Sequence, residues 1–298
     1  MRVSTDFVTN TAINNLRRLS EQQARLQQNI STGRRLLKPS DDPAAASRVI
    51  NRQMELERVN NYQSAAAMAK SRSETSLTAL TQIQKIASRL GELTSLASSA
   101  GPQSMAAYGA EAGQLLEQAT NFANSRFGAD YIFAGTAVDA QPFTPTRDTS
   151  GAIKTVAYVG NSQDATFSMG DGRAIAPSPG AATTNRAIAS FLNSIAALRD
   201  AMNTGDSAAV KSLDATMGTH EDTFVNAIGT VAAVQTRIDA NQAQLIGRAD
   251  DLGRLISTDT DADMATSMVR LTESQTAYQA ALSSTANIFK LSLLDYLK

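Results

Sequence analysis

Residues 16–37 read LRRLSEQQARLQQNISTGRRLL. Leu16, Leu19, Gln23, Leu26, Ile30, Gly33 and Leu37 fall alternately three and four positions apart, the spacing of a coiled-coil seam. Two members weaken it. Gln23 puts an amide into the seam, which costs stability but can fix register. Gly33 costs roughly 1 kcal/mol against Ala inside a helix, so a break or turn is expected near it. One helix with such a stripe is not stable alone in water. It requires a partner.

The opposite end of the chain supplies one. Met264, Met268, Leu271, Gln275, Tyr278, Leu282, Thr285 and Phe289 alternate four and three apart, a second seam of the same kind. The simplest arrangement pairs the two terminal helices with each other. A two-stranded coil still leaves apolar surface outside, which many copies stacked side by side would cover. Both series are therefore expected to form an assembly interface, and the ends are expected to order only in the assembly. Dilute subunits should be mainly monomeric, with protease-labile ends at about 1–40 and 258–298.

Between these ends the chain reads as helix, β-rich insert, helix. Lys38-Pro39-Ser40-Asp41-Asp42-Pro43 stops one helix and starts the next: Asp42 can accept from free backbone N–H groups and Pro43 suits the first helical position. A helix is then expected from Ala44 to about Ser99. Its run of threes through Leu77, Leu80, Ile83 and Ile86 predicts local overwinding. Gly101-Pro102 ends it, and a second helix is expected over Ser104–Arg126. Short strands are expected at Tyr131–Gly135, Ile153–Val159 and Ala165–Met169, separated by Gly, Pro, Asp and Thr. Helix resumes near Thr184, breaks at Gly205-Asp206, and continues to about Ile256 with the seam Val231, Val234, Ile238, Asn241, Leu245, Arg248, Leu252 and Leu255. Thr258–Asp263 offers cap residues for the last helix.

The fold class expected is mainly α: an elongated antiparallel helical rod with a terminal coiled coil and a small β-rich insert at the far end. Its divisions would be 1–42 and 258–298 for the coil, 43–130 and 183–257 for the helical body, and 131–182 for the insert. The composition agrees. Aromatics are 5% of 298 residues and Trp is absent, which suits slender helices packed through Ala and Leu.

Several function classes drop out. The net charge is −1 and no Lys/Arg cluster dominates, so no nucleic-acid partner is expected. With no Cys, thiol catalysis, disulfides and Cys-ligated metals are excluded. The three alternate acids in 259–263 lack the Gly and distal Glu of a calcium loop, and Met264 and Met268 read as packing residues. His220, beside Glu221 and Asp222, is the one histidine and is expected to be solvated on a helix. No enzyme, metal or cofactor site is expected. The start of the chain lacks a signal-like apolar run and no stretch reaches ~20 apolar residues. The expectation is a cytosolic protein, or one exported without a cleaved signal, and no membrane insertion.

Four ordered motifs carry a resemblance. Ser31-Thr32-Gly33-Arg34-Arg35 through Pro39-Ser40-Asp41-Asp42-Pro43-Ala44-Ala45-Ala46 resembles the N-terminal signature of flagellins and flagellar hook-associated proteins. Asn60-Asn61-Tyr62-Gln63 falls where that family continues its first long helix, and Tyr131-Ile132-Phe133-Ala134-Gly135-Thr136 resembles its hairpin motif. The end, Ser283-Ser284-Thr285 through Leu291-Ser292-Leu293-Leu294-Asp295-Tyr296-Leu297, is similar to the family C-terminus. The Met-Arg-Val-Ser-Thr start, Lys38-Pro39-Ser40, the Phe-Ala-Gly-Thr hairpin and the Leu-Asp-Tyr-Leu end sit closer to the hook–filament junction branch than to filament flagellins. The resemblance implies a homo-oligomeric ring or tube outside the cell, with the terminal coils inside it and the insert facing outward. It implies export unfolded through the flagellar type III apparatus and a chaperone that shields the C-terminal helix. The implied neighbours are other hook-associated proteins, hook protein and flagellin. The competing non-enzyme class, a cytosolic coiled-coil signalling rod, explains the heptads but neither the insert nor the motifs.

Overall fold

A computed structural model describes the backbone at residues 2–170 and 172–296, with side chains described at 7, 10–170 and 172–287. Six helices run α1 (Arg2–Thr32), α2 (Pro43–Ala97), α3 (Pro102–Ala123), α4 (Thr184–Thr204), α5 (Ser207–Thr260) and α6 (Met264–Tyr296). Three antiparallel strand pairs lie between α3 and α4: β1 (Arg126–Phe127) with β2 (Asp130–Tyr131), β3 (Phe143–Arg147) with β4 (Ile153–Tyr158), and β5 (Phe167–Ser168) with β6 (Ala174–Ile175). The mainly α class with a small β insert is what the hydrophobic spacing implied. The chain divides into two compact units, residues 1–58 with 248–298 and residues 59–247.

In the first unit α1 packs along α6. Helix α1 ends where expected: Gly33 has φ +68°, a left-handed position that suits glycine. The Asp42 carboxylate accepts from Ala45 N–H at 2.9 Å, capping α2 ahead of Pro43. Asp41 closes the preceding turn by accepting from Leu37 N–H at 3.2 Å and Lys38 N–H at 2.9 Å. Asp263 caps α6, accepting from Thr266 N–H at 3.1 Å and its hydroxyl at 2.7 Å. Helix α5 runs on to Thr260, so much of the acidic stretch expected as punctuation is helical.

The second unit holds the core. Buried aliphatic and aromatic residues form one cluster from Ala79 to Val231, including Leu90, Leu116, Phe143, Ile153, Phe191 and Phe224. Helix α2 stays α-helical through 77–86. Ser76, Ala79, Leu80, Ile83, Ile86, Ala87, Leu90, Leu93, Thr94 and Ala97 are all buried, so the run of threes lies within a wide buried stripe. On α5, Val231, Val234, Ile238, Leu245 and Leu252 are buried, whereas Arg248 and Leu255 are exposed.

His220 differs from expectation. It is 8% exposed, with its ring 5.5 Å from Phe191 edge-on and 6.5 Å from Phe224 in a stack. Its Nε2 lies 3.2 Å from the Ser194 hydroxyl. The neighbouring acid misled the reading: Glu221 turns to Gln84 and Ser88, leaving His220 to the aromatic core. Burial lowers its pKa below 6.5.

The insert also departs in detail. Only Tyr131 of the 131–135 run is in a strand. Ile132 and Phe133 are buried while the backbone turns at Gly135, φ +70°, where an added Cβ would sit 2.7 Å from the Asn161 carbonyl oxygen. The apolar side chains there plug the core and are not a strand pattern. Helix α3 stops at Ala123, so Arg126 is in β1, and β3 was missed because Pro145 argues against a strand interior.

Candidate assembly interface

The α1 side of the coil follows the spacing read above. Leu16, Leu19, Gln23, Leu26 and Ile30 are all half-buried, as is Leu37 beyond the helix end. The Gln23 amide donates to the Ser274 carbonyl at 3.0 Å, an anchor of the kind expected to fix register. On α6 the shielded positions are Ser267, Leu271, Ser274, Tyr278, Ala281 and Thr285, spaced four, three, four, three, four. Three of these, Leu271, Tyr278 and Thr285, belong to the series read from sequence. Met268, Gln275 and Leu282 lie one step outside and are exposed, Met264 at the start of α6 is exposed too, and Phe289 lies outside the described side chains. Small residues at Ser267, Ser274 and Ala281 alternate with Leu271 and Tyr278 in the intramolecular seam, and Met268 and Leu282 are left outward.

Two consequences follow. The coil buries little: no apolar side chain of α1 or α6 reaches core burial among the described residues, where only Ser274 and Thr285 are buried. And α6 shows solvent an apolar row, with Met268 54%, Val269 59% and Leu282 47% exposed. A groove of ≈ 330 Å³ opens between the helices at Phe7, Thr11, Ala12, Asn15, Ala281, Ser284 and Thr285. Apart from Phe7 it is lined by small and medium side chains, and it leaves room for an incoming one.

The turns at the base of the coil are tied together. Arg35 N–H and Leu36 N–H donate to the Thr260 carbonyl at 2.7 and 3.3 Å, and Ala262 N–H donates to the Gly33 carbonyl at 2.9 Å. Arg34 and Asp261 form an antiparallel bridge. Asp259 is the charged centre. Arg48 donates to its two oxygens at 2.7 and 3.2 Å and Arg52 donates at 2.5 Å. Arg35 donates to the Asp259 carbonyl at 2.8 Å. The Arg48 hydrogen bonds, with both guanidinium charges, hold the Asp259 carboxyl below 3.8. Looser pairs join Arg25 to Asp41 at 3.5 Å and Arg35 to Asp42 at 3.7 Å; Ser40 is exposed. Sequence reading missed Asp259 and its arginines. The available signal was weak: Arg48 and Arg52 at i,i+4 on one helix face.

Among the described residues no three His, Asp or Glu side chains gather as metal ligands, and no helix is long and apolar enough to cross a membrane. The features are an incomplete coil, an apolar row and a charged clamp.

Comparison with known proteins gives this arrangement its context. Residues 3–138 match the family model of the bacterial flagellin N-terminal helical region. Flagellar hook-associated protein 3 of Escherichia coli K12 is 23% identical over 306 residues, covering 94% of this chain and 96% of the relative. Among solved structures, FlgL of Bacillus cereus superposes with a TM-score of 0.60 at 22% identity, over 70% of this chain and 99% of that one. A putative flagellar hook-associated protein of Vibrio parahaemolyticus gives 0.62 at 16% identity, over 74% and 100%. Residues 3–138 thus resemble the flagellin N-terminal helical region, and the chain has the fold of the solved flagellar hook-associated proteins.

Proposed function

We propose that this chain is a structural subunit of the bacterial flagellum that joins hook to filament, and that copies of it associate through their terminal helices. The exposed row of α6, beside a coil whose described apolar side chains are at most half-buried, carries this reading. A lone coil of this kind gains little from its own seam. Burying a Leu or Met side chain contributes about 1.5–3 kcal/mol each, so a neighbour that covers Met264, Met268 and Leu282 would supply what the monomer lacks. The N-terminal family match and the hook-associated relative support the flagellar setting.

In this reading residues 1–42 and 258–298 form the inner coil, 43–130 and 183–257 the helical body, and 131–182 the outward insert. The partners are further copies, neighbouring hook-associated proteins, hook protein and flagellin. The subunit works outside the cell, reaches it through the flagellar type III apparatus, and travels with a chaperone on its C-terminal helix. No catalytic step is assigned.

Two substitutions separate the two faces of α6. Leu271→Asp puts a charge into the half-buried side, and Leu282→Asp into the exposed row. Each is expected to abolish incorporation into flagella while residues 59–247 unfold at an unchanged temperature. Normal flagella with Leu282→Asp would refute the interface. Because the chain lacks Cys, a dye on Ser150→Cys locates it on cells. One spot between hook and filament is expected; label along the whole filament would make it a filament flagellin.

A further inference from the structure

The β3–β4 hairpin is two strands wide, so it has two free edges. Its register pairs Phe143 with Tyr158, Thr144 with Ala157, Pro145 with Val156 and Thr146 with Thr155. In an antiparallel pair, alternate residues turn both backbone groups outward. Here Phe143, Pro145, Val156 and Tyr158 do so. Outward groups in a row are a template for another chain's strand.

Amide side chains occupy both edges, and on the β3 side Gln141 Nε2 also donates to the Phe143 carbonyl at 3.1 Å. On the β3 side, Phe143 N–H donates to Asn124 Oδ1 at 3.0 Å and Asn124 Nδ2 donates to the Phe143 carbonyl at 2.9 Å. On the β4 side, Val156 N–H donates to Asn193 Oδ1 at 2.9 Å and Asn193 Nδ2 donates to the Val156 carbonyl at 2.9 Å. Each Asn makes the two-point exchange that a residue of a neighbouring strand would make. Asn124 is the C-cap of α3 and Asn193 sits within α4, so both are held by packed helices. Two further features act the same way. Pro145 has no N–H to offer on the β3 edge, and Arg199 donates to the Ile153 carbonyl on β4 at 2.6 Å.

We infer that Asn124 and Asn193 are edge guards: helix-borne amides that complete both sides of the hairpin and deny it to strand addition by a second copy. Burying the hairpin does not require this. Phe143, Ile153 and Val156 already anchor it through their side chains. The inference stands on residues 59–247 alone and holds whether or not the hook–filament assignment does. In any crowded assembly, subunits whose inserts joined edge to edge would compete with association through the helices.

The test uses the full chain with Asn193→Ala, Asn124→Ala, and Asn193→Ala combined with Thr155→Lys, which places a charge on the exposed face of the opened strand. The readouts are hydrogen exchange at Val156, thermal unfolding, and the monomer fraction and thioflavin T signal in concentrated solution. Asn193→Ala is expected to fold, to exchange Val156 faster, and to raise thioflavin-positive oligomer severalfold, with Thr155→Lys restoring the monomer. Asn124→Ala should act in the same direction but more weakly, since Pro145 still interrupts its edge. A folded Asn193→Ala protein that exchanges Val156 quickly yet stays as monomeric as the parent overturns the inference. Loss of fold in both single variants overturns it too, because the amides would then be anchors.

Discussion

The α1–α6 coil and the unit of residues 59–247 use the same amphipathic rule to opposite ends. In the second unit, α2, α3, α4 and α5 turn their apolar faces onto one another and onto the hairpins, and the cluster closes on itself around Phe191, Phe224 and Leu90. In the coil the seam is made of Leu16, Leu19, Leu26 and Ile30 against Ser267, Ser274, Ala281 and Thr285, and none of the leucines is fully buried. Leu271 and Tyr278 join that seam, while Met268, Val269 and Leu282 face away from it. The core closes on itself, whereas the coil leaves Met268 and Leu282 in water, where the proposed interface would cover them.

That contrast has a thermodynamic form. Phe191→Ala should cost about 3–5 kcal/mol, as a large-to-small change in a packed core does. Leu26→Ala, at a half-buried seam position, should cost the dilute subunit about 1 kcal/mol or less. Chemical denaturation of the two variants measures both. Equal losses would erase the distinction between the regions.

Acid should act on the two units at different pH. His220 belongs to the closed core, and burial lowers its pKa below the ordinary 6.5. The unfolded chain takes up that proton first, so the second unit is at full stability above pH 6.5 and loses stability as pH falls from there toward the folded value. His220→Gln should flatten this dependence in unfolding temperatures measured from pH 7.5 to 5. Asp259 belongs to the coil's base, and its carboxyl is held below 3.8 by Arg48 and Arg52. Its contribution is present above 3.8 and is lost as pH falls through the folded value. Asp259→Asn should raise hydrogen exchange at Arg35, Leu36 and Ala262, whose backbone bonds tie the turns, and leave α3 and α4 unaffected.

The smallest effect expected is at Gln23. Gln23→Ala removes one hydrogen bond to the Ser274 carbonyl, worth about 1 kcal/mol. It should leave the coil paired but less uniquely registered, visible as broadened NMR signals from α6. Unchanged spectra would make Gln23 a bystander.

Much of the first region was legible because its signals are local. The Gly33 break, the Asp42–Pro43 cap and the Asp263 cap each involve residues within a few positions, and all three act as their chemistry suggests. The α1 seam was legible for the same reason. The α6 face was ambiguous, since a one-residue step exchanges Met268, Gln275 and Leu282 for Ser267, Ser274 and Ala281, and only the presence of α1 decides between them. The Asp259 clamp was not legible, because its arginines lie more than two hundred positions away. His220 was misread for a related reason: its environment comes from Phe191 and Ser194 on another helix. In the insert, Pro145 hid β3 because its missing N–H matters only on an inner edge, and here it faces outward.

The central claim is that neighbouring copies complete the coil by covering the outward row of α6. With no native Cys in the chain, a Leu282→Cys thiol reports that cover directly. Its alkylation rate would be measured by mass spectrometry in the dilute subunit and in intact flagella. A thiol that reacts rapidly in the subunit and is protected in the assembly is the predicted result. Equal reactivity in both states would contradict the account.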